Sequence, residues 1–462
     1  MKPMSLRQIR QAVGGKALSV IADDAPSIDT VCTDTRQMKP GALFIALRGE
    51  NFDAHGFLAQ AVAAGAIAAL VEETPANPIA NLSLIQVANT RQAMGRLAAH
   101  CRQQMRAKVI AVAGSNGKTS TKHLIDAALC GRLRGSISPK SFNNDIGVPL
   151  TIFPADPGQD YLVLEIGTNH HGEIRPLSEM TTPDIAVITN CGADHLEFLG
   201  DVSGVRRENA NISAGLNPRG LLIVNGDEAE LLSAVKDYPG QRITFGFKES
   251  NDLFASNVRC DETGTRFSLN NSRRDVFVPM LGRHSASNAL AAIAVARKMG
   301  VPEDVAIASL AVARGPDMRL QWQAAGDIRI LNDAYNANPD SMRAAIETAA
   351  AMPTASRRIA ILGDMKELGP SGNEYHREIG RSVAATKSFE LLVCVGIHAD
   401  LIADAAVAAG FPTRAVLRYP DSTAAAVPVS ALLRDGDLVL LKGSRGVHLE
   451  RIAAAIARRA AA

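Results

Sequence analysis

The sequence predicts an α/β protein of three domains: a small N-terminal α/β domain, a central P-loop-type, mostly parallel sheet with helices on both faces, and a C-terminal Rossmann-like domain. Three observations carry this prediction. The chain has 462 residues, and at roughly 100 to 200 residues per domain that length points to about three. From Val109 onward, short apolar runs alternate with longer helix-forming stretches, the order of a parallel sheet covered on both faces. One of those alternations, VIAVAGSNGKTSTKHLI from Val109 to Ile125, reads as strand, glycine loop and helix.

That stretch is in phosphate-binding order. Gly114, Ser115, Asn116 and Gly117 form the turn, and the two glycines let backbone N–H groups face anionic oxygens. Lys118 would then reach the outer phosphates, Thr119 would offer its hydroxyl to Mg²⁺, and Ser120 continues the helix whose N-terminus adds partial positive charge. The full pattern has a glycine where Val112 stands, so this is a shortened variant of an ATP site.

Composition limits the partners. Forty-nine basic against 47 acidic residues leave a net charge of +2, and no basic run marks a nucleic-acid footprint. Small, anionic substrates fit better. The six cysteines are scattered without a C-x-x-C pair, as in free thiols of a reducing cytosol. The N-terminal MKPMSLRQIRQ lacks a long apolar core, and nothing approaches the roughly 18 unbroken apolar residues of a membrane span. A cytoplasmic protein, expected to be a monomer, follows.

Taken in order, residues 1–87 open with a helix, then strands at Ile28 to Thr33 and Ala42 to Leu47, then an alanine-rich helix from Gly56 to Ala69. Thr35, Arg36, Arg48 and His55 lie on polar loops beside those strands. They would hold a diphosphate or sugar, or are ordinary exposed polar residues.

Residues 88–314 form the second unit, entered by a helix over Thr90 to Met105. In parallel sheets ligands sit beyond the carboxyl ends of strands, so strand tips matter most. Glu165 closes the apolar run YLVLE, where a carboxylate needs a cation beside it; Mg²⁺ is the obvious one. His195 follows AVITN and is read as a ligand of the same metal, a contact for an incoming phosphate, or a structural histidine. Asn143 and Asn144, in SFNNDIGVPLT, suit neutral recognition of phosphate or sugar oxygens, or serve turn chemistry alone. Residues 240–280 read as added β-hairpin structure with Gly246 in a turn. Ser285 is expected to cap a helix that leaves Asn288 near a nucleotide base.

Gly315-Pro316 marks a linker into residues 315–462, where strands at Ile328 to Leu331, Arg358 to Leu362, Leu391 to Val395 and Leu438 to Leu441 give a further nucleotide-fold sheet. Its tips carry NDAYNANPDSM, GDMKELG and KGSRGVHLE. Arg319, beside the linker, would swing toward a γ-phosphate on domain closure.

With these phrases laid out, the chain resembles the Mur ligases of cell-wall precursor synthesis over nearly its whole length. TDTRQMKPGALFIALRGENFDAHGF, AGSNGKTSTK, SFNNDIGVPLT, EIGTNHHGEI, ADHLEFLG, NDAYNANPDSM, LGDMKELG and LKGSRGVHLE carry the likeness in order. It implies an ATP-dependent amide ligase acting through an acyl phosphate, with a UDP-sugar peptide as acid and a dipeptide as amine. The N-terminal domain would grip the UDP-sugar peptide, the central domain would bind ATP, and the C-terminal domain would bring the amine.

Residue by residue, the resemblance gives Lys118 the β- and γ-phosphates, Thr119 and Glu165 a Mg²⁺, and His195 a second ion. It gives Asn288 the adenine, Asp333 the ribose hydroxyls, Arg319 the γ-phosphate, and Thr35 and Arg36 the uridine nucleotide. Asn336 and Asn338 fall in the amine-side phrase. One departure stands out. The family sets a carbamylated lysine and, two residues later, a glutamate where this chain has Asn209 and Asn211. A short neutral amide brings no negative charge to a second Mg²⁺; Glu208 would substitute only if its helix were rotated. A ligase of the same chemistry for another acid and amine, and a nucleotide-binding homologue without turnover, are the alternatives.

Overall fold

In the strand Lys108–Ala113, Val109, Ala111 and Ala113 enter one apolar core while Ile110 and Val112 enter another. A strand apolar on both faces requires cover on both. The computed structural model, which describes residues 1–18, 26–270, 274–354 and 356–460, provides it. Helices Thr90–Gln103 and Ile174–Thr181 share the first core; helices Lys118–Cys130 and His284–Lys298 share the second. The last is buried from Ser285 to Ala296, and its alanines let it lie close to its neighbours.

Lys108–Ala113 sits inside a nine-stranded sheet, with Tyr161–Glu165 parallel on one side and Ile185–Ile188 parallel on the other. Register sets Glu165 directly opposite Val112, and Ile188 opposite Ala113. The phosphate loop therefore leaves the sheet between the two strand tips that carry Glu165 and Thr189-Asn190, a crossover point of the kind where ligands bind.

Beyond Ile185–Ile188 the sheet continues in parallel through Leu221–Asn225, Gln241–Gly246 and Leu253–Asp261, and only Gly264–Leu269 and Asp275–Val278 run antiparallel. The expected hairpin from 240 to 280 is thus half parallel sheet. Gly246 is not a turn residue but pairs with Phe254 at the end of a strand.

The N-terminal unit is a five-stranded sheet in which Val31–Cys32, Leu43–Ile45, Ala68–Val71 and Ser83–Gln86 run parallel and Lys16–Ala17 closes one edge antiparallel. Here the helix expected to reach Ala69 stops at Ala63, and Ala68 and Ala69 are in a strand. Pairing on both sides, with all four residues of Ala68–Val71 buried, overrides alanine's helix preference.

The C-terminal unit is a six-stranded sheet containing all four expected strands, in which Leu438–Lys442 lies between Ile328–Asp333 and Arg358–Gly363. That order sets Asp333 opposite Lys442. Among the described residues no helix is long and apolar enough to cross a membrane.

Candidate active site

The phosphate loop is shaped by two glycines that nothing else could replace. Gly114 has φ +129° and a side-chain carbon there would lie 2.1 Å from Thr189 Oγ1; Gly117 has φ +82° and would meet Asn288 Oδ1 at 2.6 Å. The loop is tied to the neighbouring strand tip. Asn116 N–H donates to Asn190 Oδ1 at 3.0 Å, and Asn116 carbonyl accepts from Thr189 Oγ1 and Asn190 Nδ2. Ser115 Oγ accepts from Gly192 N–H. Lys118 Nζ folds back over the loop, donating to Gly114 carbonyl at 2.5 Å and Ser115 carbonyl at 3.1 Å. Ser120 and Thr119 are buried in the first turn of the helix.

Glu165 is 1 % exposed and both its oxygens are engaged. Thr119 Oγ1 donates to Oε2 at 3.0 Å, Asn143 Nδ2 donates to Oε1 at 3.0 Å, and Lys122 Nζ lies 3.2 Å from Oε2. The cation beside this buried carboxylate is therefore Lys122, whose ammonium also donates to the Ser138 and Lys140 carbonyls. Burial pushes the Lys122 pKa down, and the facing Glu165 charge resists it. Lys122 was not a sequence candidate. Its signal was available: it lies four residues after Lys118, one turn along the same helix.

Asn144 has another task, accepting from Ile146 and Gly147 N–H groups at the start of a short helix. Thr119 Oγ1 and Glu165 Oε2, two hard oxygen donors 3.0 Å apart, fit Mg²⁺. His195 does not join them in a cluster. Its Nδ1 pairs with Glu367 of the C-terminal unit, Asp194 lies 3.6 Å from its Nε2, and among the described residues no three His, Cys, Asp or Glu side chains converge on an ion site.

A cavity of about 570 Å³ opens beside the loop, between the central and C-terminal sheets. Asn288, Arg319, Asp333, Lys442 and His284 line one group of its walls. Asn288 Nδ2 and Arg319 Nε are buried there without a protein partner, a state costly enough to point to a polar ligand. The unsatisfied donors and the side-chain-free glycine cradle fit a nucleoside triphosphate. Arg319 stacks its guanidinium 4.3 Å from the Tyr335 ring centre, and its neighbours Met318 and Leu320 both hold left-handed backbone, at φ 56° and 48°. Such strain in non-glycine residues persists only where the surroundings enforce it; Asp333 Oδ1 does so by accepting from Leu320 N–H. Lys442 Nζ is buried, 2.8 Å from Asp333 Oδ2, and also donates to the Asn336 carbonyl. Burial lowers the pKa of Lys442 against the pull of Asp333.

Ser285 is not the helix cap expected of it. The helix begins at His284, Arg283 stands at the cap position, and Ser285 Oγ donates back to Leu281 carbonyl. Asn338 caps helix Pro339–Ala351 and reaches across to the loop, its Nδ2 donating to Asn116 Oδ1 at 2.9 Å. In the N-terminal unit Arg48 pairs with Asp53 and Glu73, and His55 is held by Asp53 and Glu72 N–H, so these two form one cluster. Arg36 forks onto Asp34, and Thr35 opens the same short helix. None of the four lines the cavity.

Three family models match in chain order: the Mur ligase family catalytic domain over residues 27–102, the Mur ligase middle domain over 112–296, and the Mur ligase glutamate ligase domain over 318–445. The chain belongs to the Mur ligase family. It is 37 % identical to the UDP-N-acetylmuramoyl-tripeptide–D-alanyl-D-alanine ligase of Bacillus subtilis, with 92 % of each chain covered. The Escherichia coli ligase of the same name is 36 % identical, over 93 % of this chain and 94 % of its own. Among solved structures, MurF from Acinetobacter baumannii aligns with a TM-score of 0.88 at 32 % identity, covering 99 % of both chains. MurF from Thermotoga maritima in complex with ADP aligns at 0.82 and 25 % identity, covering 94 % of this chain and 98 % of that one.

Asn209 and Asn211, which stand where the resemblance implies a lysine and a glutamate, lie at the end of helix Val202–Ala210 and just beyond it. Asn209 is buried, with Nδ2 donating to Val205 carbonyl one turn earlier in its own helix. Glu208 does not substitute. Its carboxylate accepts from the Gly172 and Ile174 N–H groups, both at 2.9 Å, which fixes it at the start of helix Ile174–Thr181.

Proposed function

We propose that this Mur ligase activates a UDP-sugar peptide carboxylate with ATP and joins it to a dipeptide amine. By the names of its relatives, these are UDP-N-acetylmuramoyl-tripeptide and D-alanyl-D-alanine, in peptidoglycan precursor synthesis. The observation that carries the reading is the register opposing Val112 and Glu165, which brings a buried carboxylate and the Thr119 hydroxyl together at the mouth of the phosphate loop.

A carboxylate is a poor electrophile, and both it and the γ-phosphate are anionic. Lys118 and Arg319 would hold the phosphate chain, Asn288 and Asp333 the nucleoside, and Asn116, through its N–H and its side-chain oxygen, the loop geometry. Bound by Thr119 and Glu165, Mg²⁺ would supply charge neutralisation between the two anions. Residues 1–87 would hold the UDP-sugar through Thr35, Arg36, Arg48 and His55, residues 88–314 the ATP, and residues 315–462 the amine, with Asn336 and Asn338 on that side. All of this is chemistry of small, soluble substrates in a cytoplasmic setting.

The test is direct. Protein incubated with ATP, Mg²⁺, UDP-N-acetylmuramoyl-tripeptide and D-alanyl-D-alanine should release phosphate only when both substrates are present. Turnover with another pair alone would favour a ligase redirected to other substrates. Absence of ATP hydrolysis with every pair would reduce the chain to a nucleotide binder.

A further inference from the structure

The cavity has a second group of walls that the nucleotide assignments leave unused: Glu228, Arg206, Asp340, Arg343 and Tyr375. Glu228 follows the strand Leu221–Asn225 at the carboxyl edge of the central sheet. Its two oxygens share the Cys191 N–H at 3.2 and 3.1 Å, which leaves most of their accepting capacity free. Cys191 precedes Gly192, whose N–H donates to Ser115 Oγ of the phosphate loop, so the carboxylate sits beside that loop.

Charged groups around Glu228 come from two neighbouring helices and from its own segment. Arg206 on helix Val202–Ala210 draws its pKa down, while Asp340 on helix Pro339–Ala351 and Glu230 on its own segment push it up. Burial outweighs them and raises it to about 7. Arg206 Nε is buried and without a protein partner, while its Nη2 lies 3.8 Å from Glu230 on the more exposed side. One wall thus presents an acceptor and an unpaired donor, the complement of a molecule carrying both an ammonium and a carboxylate.

We propose that Glu228 receives the ammonium of the incoming amine and takes its proton, with Arg206 meeting the carboxylate of the same dipeptide, both from the central-unit side of a cavity whose other wall, with Asp340, Arg343 and Tyr375, belongs to residues 315–462. This rests on the ligase reading above. One N–H proton moves from the ammonium to Glu228, and the freed lone pair forms a C–N bond at the acyl-phosphate carbon. The tetrahedral adduct then breaks its C–O bond to phosphate, and its remaining excess N–H proton leaves with the phosphate. A carboxylate that titrates near neutrality is suited to this step, since an acceptor works best when its own pKa lies close to the working pH.

The experiment compares two amines on the full-length protein with ATP, Mg²⁺ and UDP-N-acetylmuramoyl-tripeptide. Hydroxylamine is largely uncharged at neutral pH and traps an acyl phosphate without needing a proton acceptor; D-alanyl-D-alanine needs one. Glu228→Gln keeps an oxygen for the Cys191 N–H. It should form hydroxamate within about twofold of the parent and keep its KM for ATP, while dipeptide-dependent turnover falls ~10²-fold. That deficit should shrink as pH rises from about 7 to about 9, because an α-amino group loses its proton unaided near pH 8. Equal losses with both amines, or no loss with the dipeptide, would overturn the assignment. Failure of the parent protein to form hydroxamate or release phosphate would instead remove the ligase reading, and Glu228 with it.

Discussion

Lys122 and Glu165 form an ion pair sealed inside the protein: 3.2 Å separates Nζ from Oε2, and the two side chains are 0 % and 2 % exposed. Thr119 donates to the same carboxylate oxygen, so the structural cation and the two oxygens proposed to hold Mg²⁺ meet at one atom. Removing one partner of such a pair strands the other charge, at a cost of about 3–5 kcal/mol. Lys122→Met should therefore lower unfolding stability by about that amount, measured by urea or thermal denaturation. Added Mg²⁺ should recover part of the loss in the variant and less in the parent; an unchanged midpoint would contradict the pairing.

Lys118 is the cation of the loop, resting on two backbone carbonyls. Lys118→Ala should leave the fold intact and cut turnover by about 10²–10³-fold, the scale of losing one preorganised charge at a transition state. Product formation at undiminished speed would sink the phosphate-loop assignment.

Asn209 has no amine to react with CO₂, and Glu208 is committed to two backbone amides. Turnover should be the same in bicarbonate-free and bicarbonate-supplemented buffer, and the intact mass should carry no carbamate. A rate that rises with bicarbonate would mean that a lysine elsewhere serves the site.

Glu228 titrates at about 7 rather than its ordinary 4.5 because burial disfavours its charge. The folded protein then binds a proton that the unfolded chain has released, so stability falls as pH rises from about 4.5 to about 7 and levels off above. Glu228→Gln removes that cost. The variant should be more stable than the parent above pH 7, by up to about 3 kcal/mol, and equal to it below about pH 4.5. Stability gained with activity lost is the signature of a site residue; a variant less stable at pH 8 would refute the buried-carboxylate account.

His195 and Glu367 join the central and C-terminal units, with Glu197 N–H also donating to the Glu367 carbonyl and Asn338 reaching Asn116. Glu367→Ala combined with Asn338→Ala should loosen this junction, giving a larger radius of gyration in small-angle scattering without nucleotide. Identical scattering profiles would show that the apolar contacts alone hold the units together.

The strand, loop and helix around Lys118, the four C-terminal strands and the strand-tip positions of Glu165 and Asp333 were legible in the chain, because periodicity and glycine placement are local properties. The family likeness was legible in the same way, phrase by phrase. Local pattern failed at Ala68 and Ala69 and at Gly246, where pairing with distant strands decides the conformation. What Glu165 touches, why Arg319 sits between two left-handed residues, that Glu208 caps a helix, and that Glu228 shares a cavity with Arg206 were decided by tertiary structure alone. Each depends on strand order and register, which join residues far apart in sequence, and on burial, which sets the cost of a charge and hence the partner it must find.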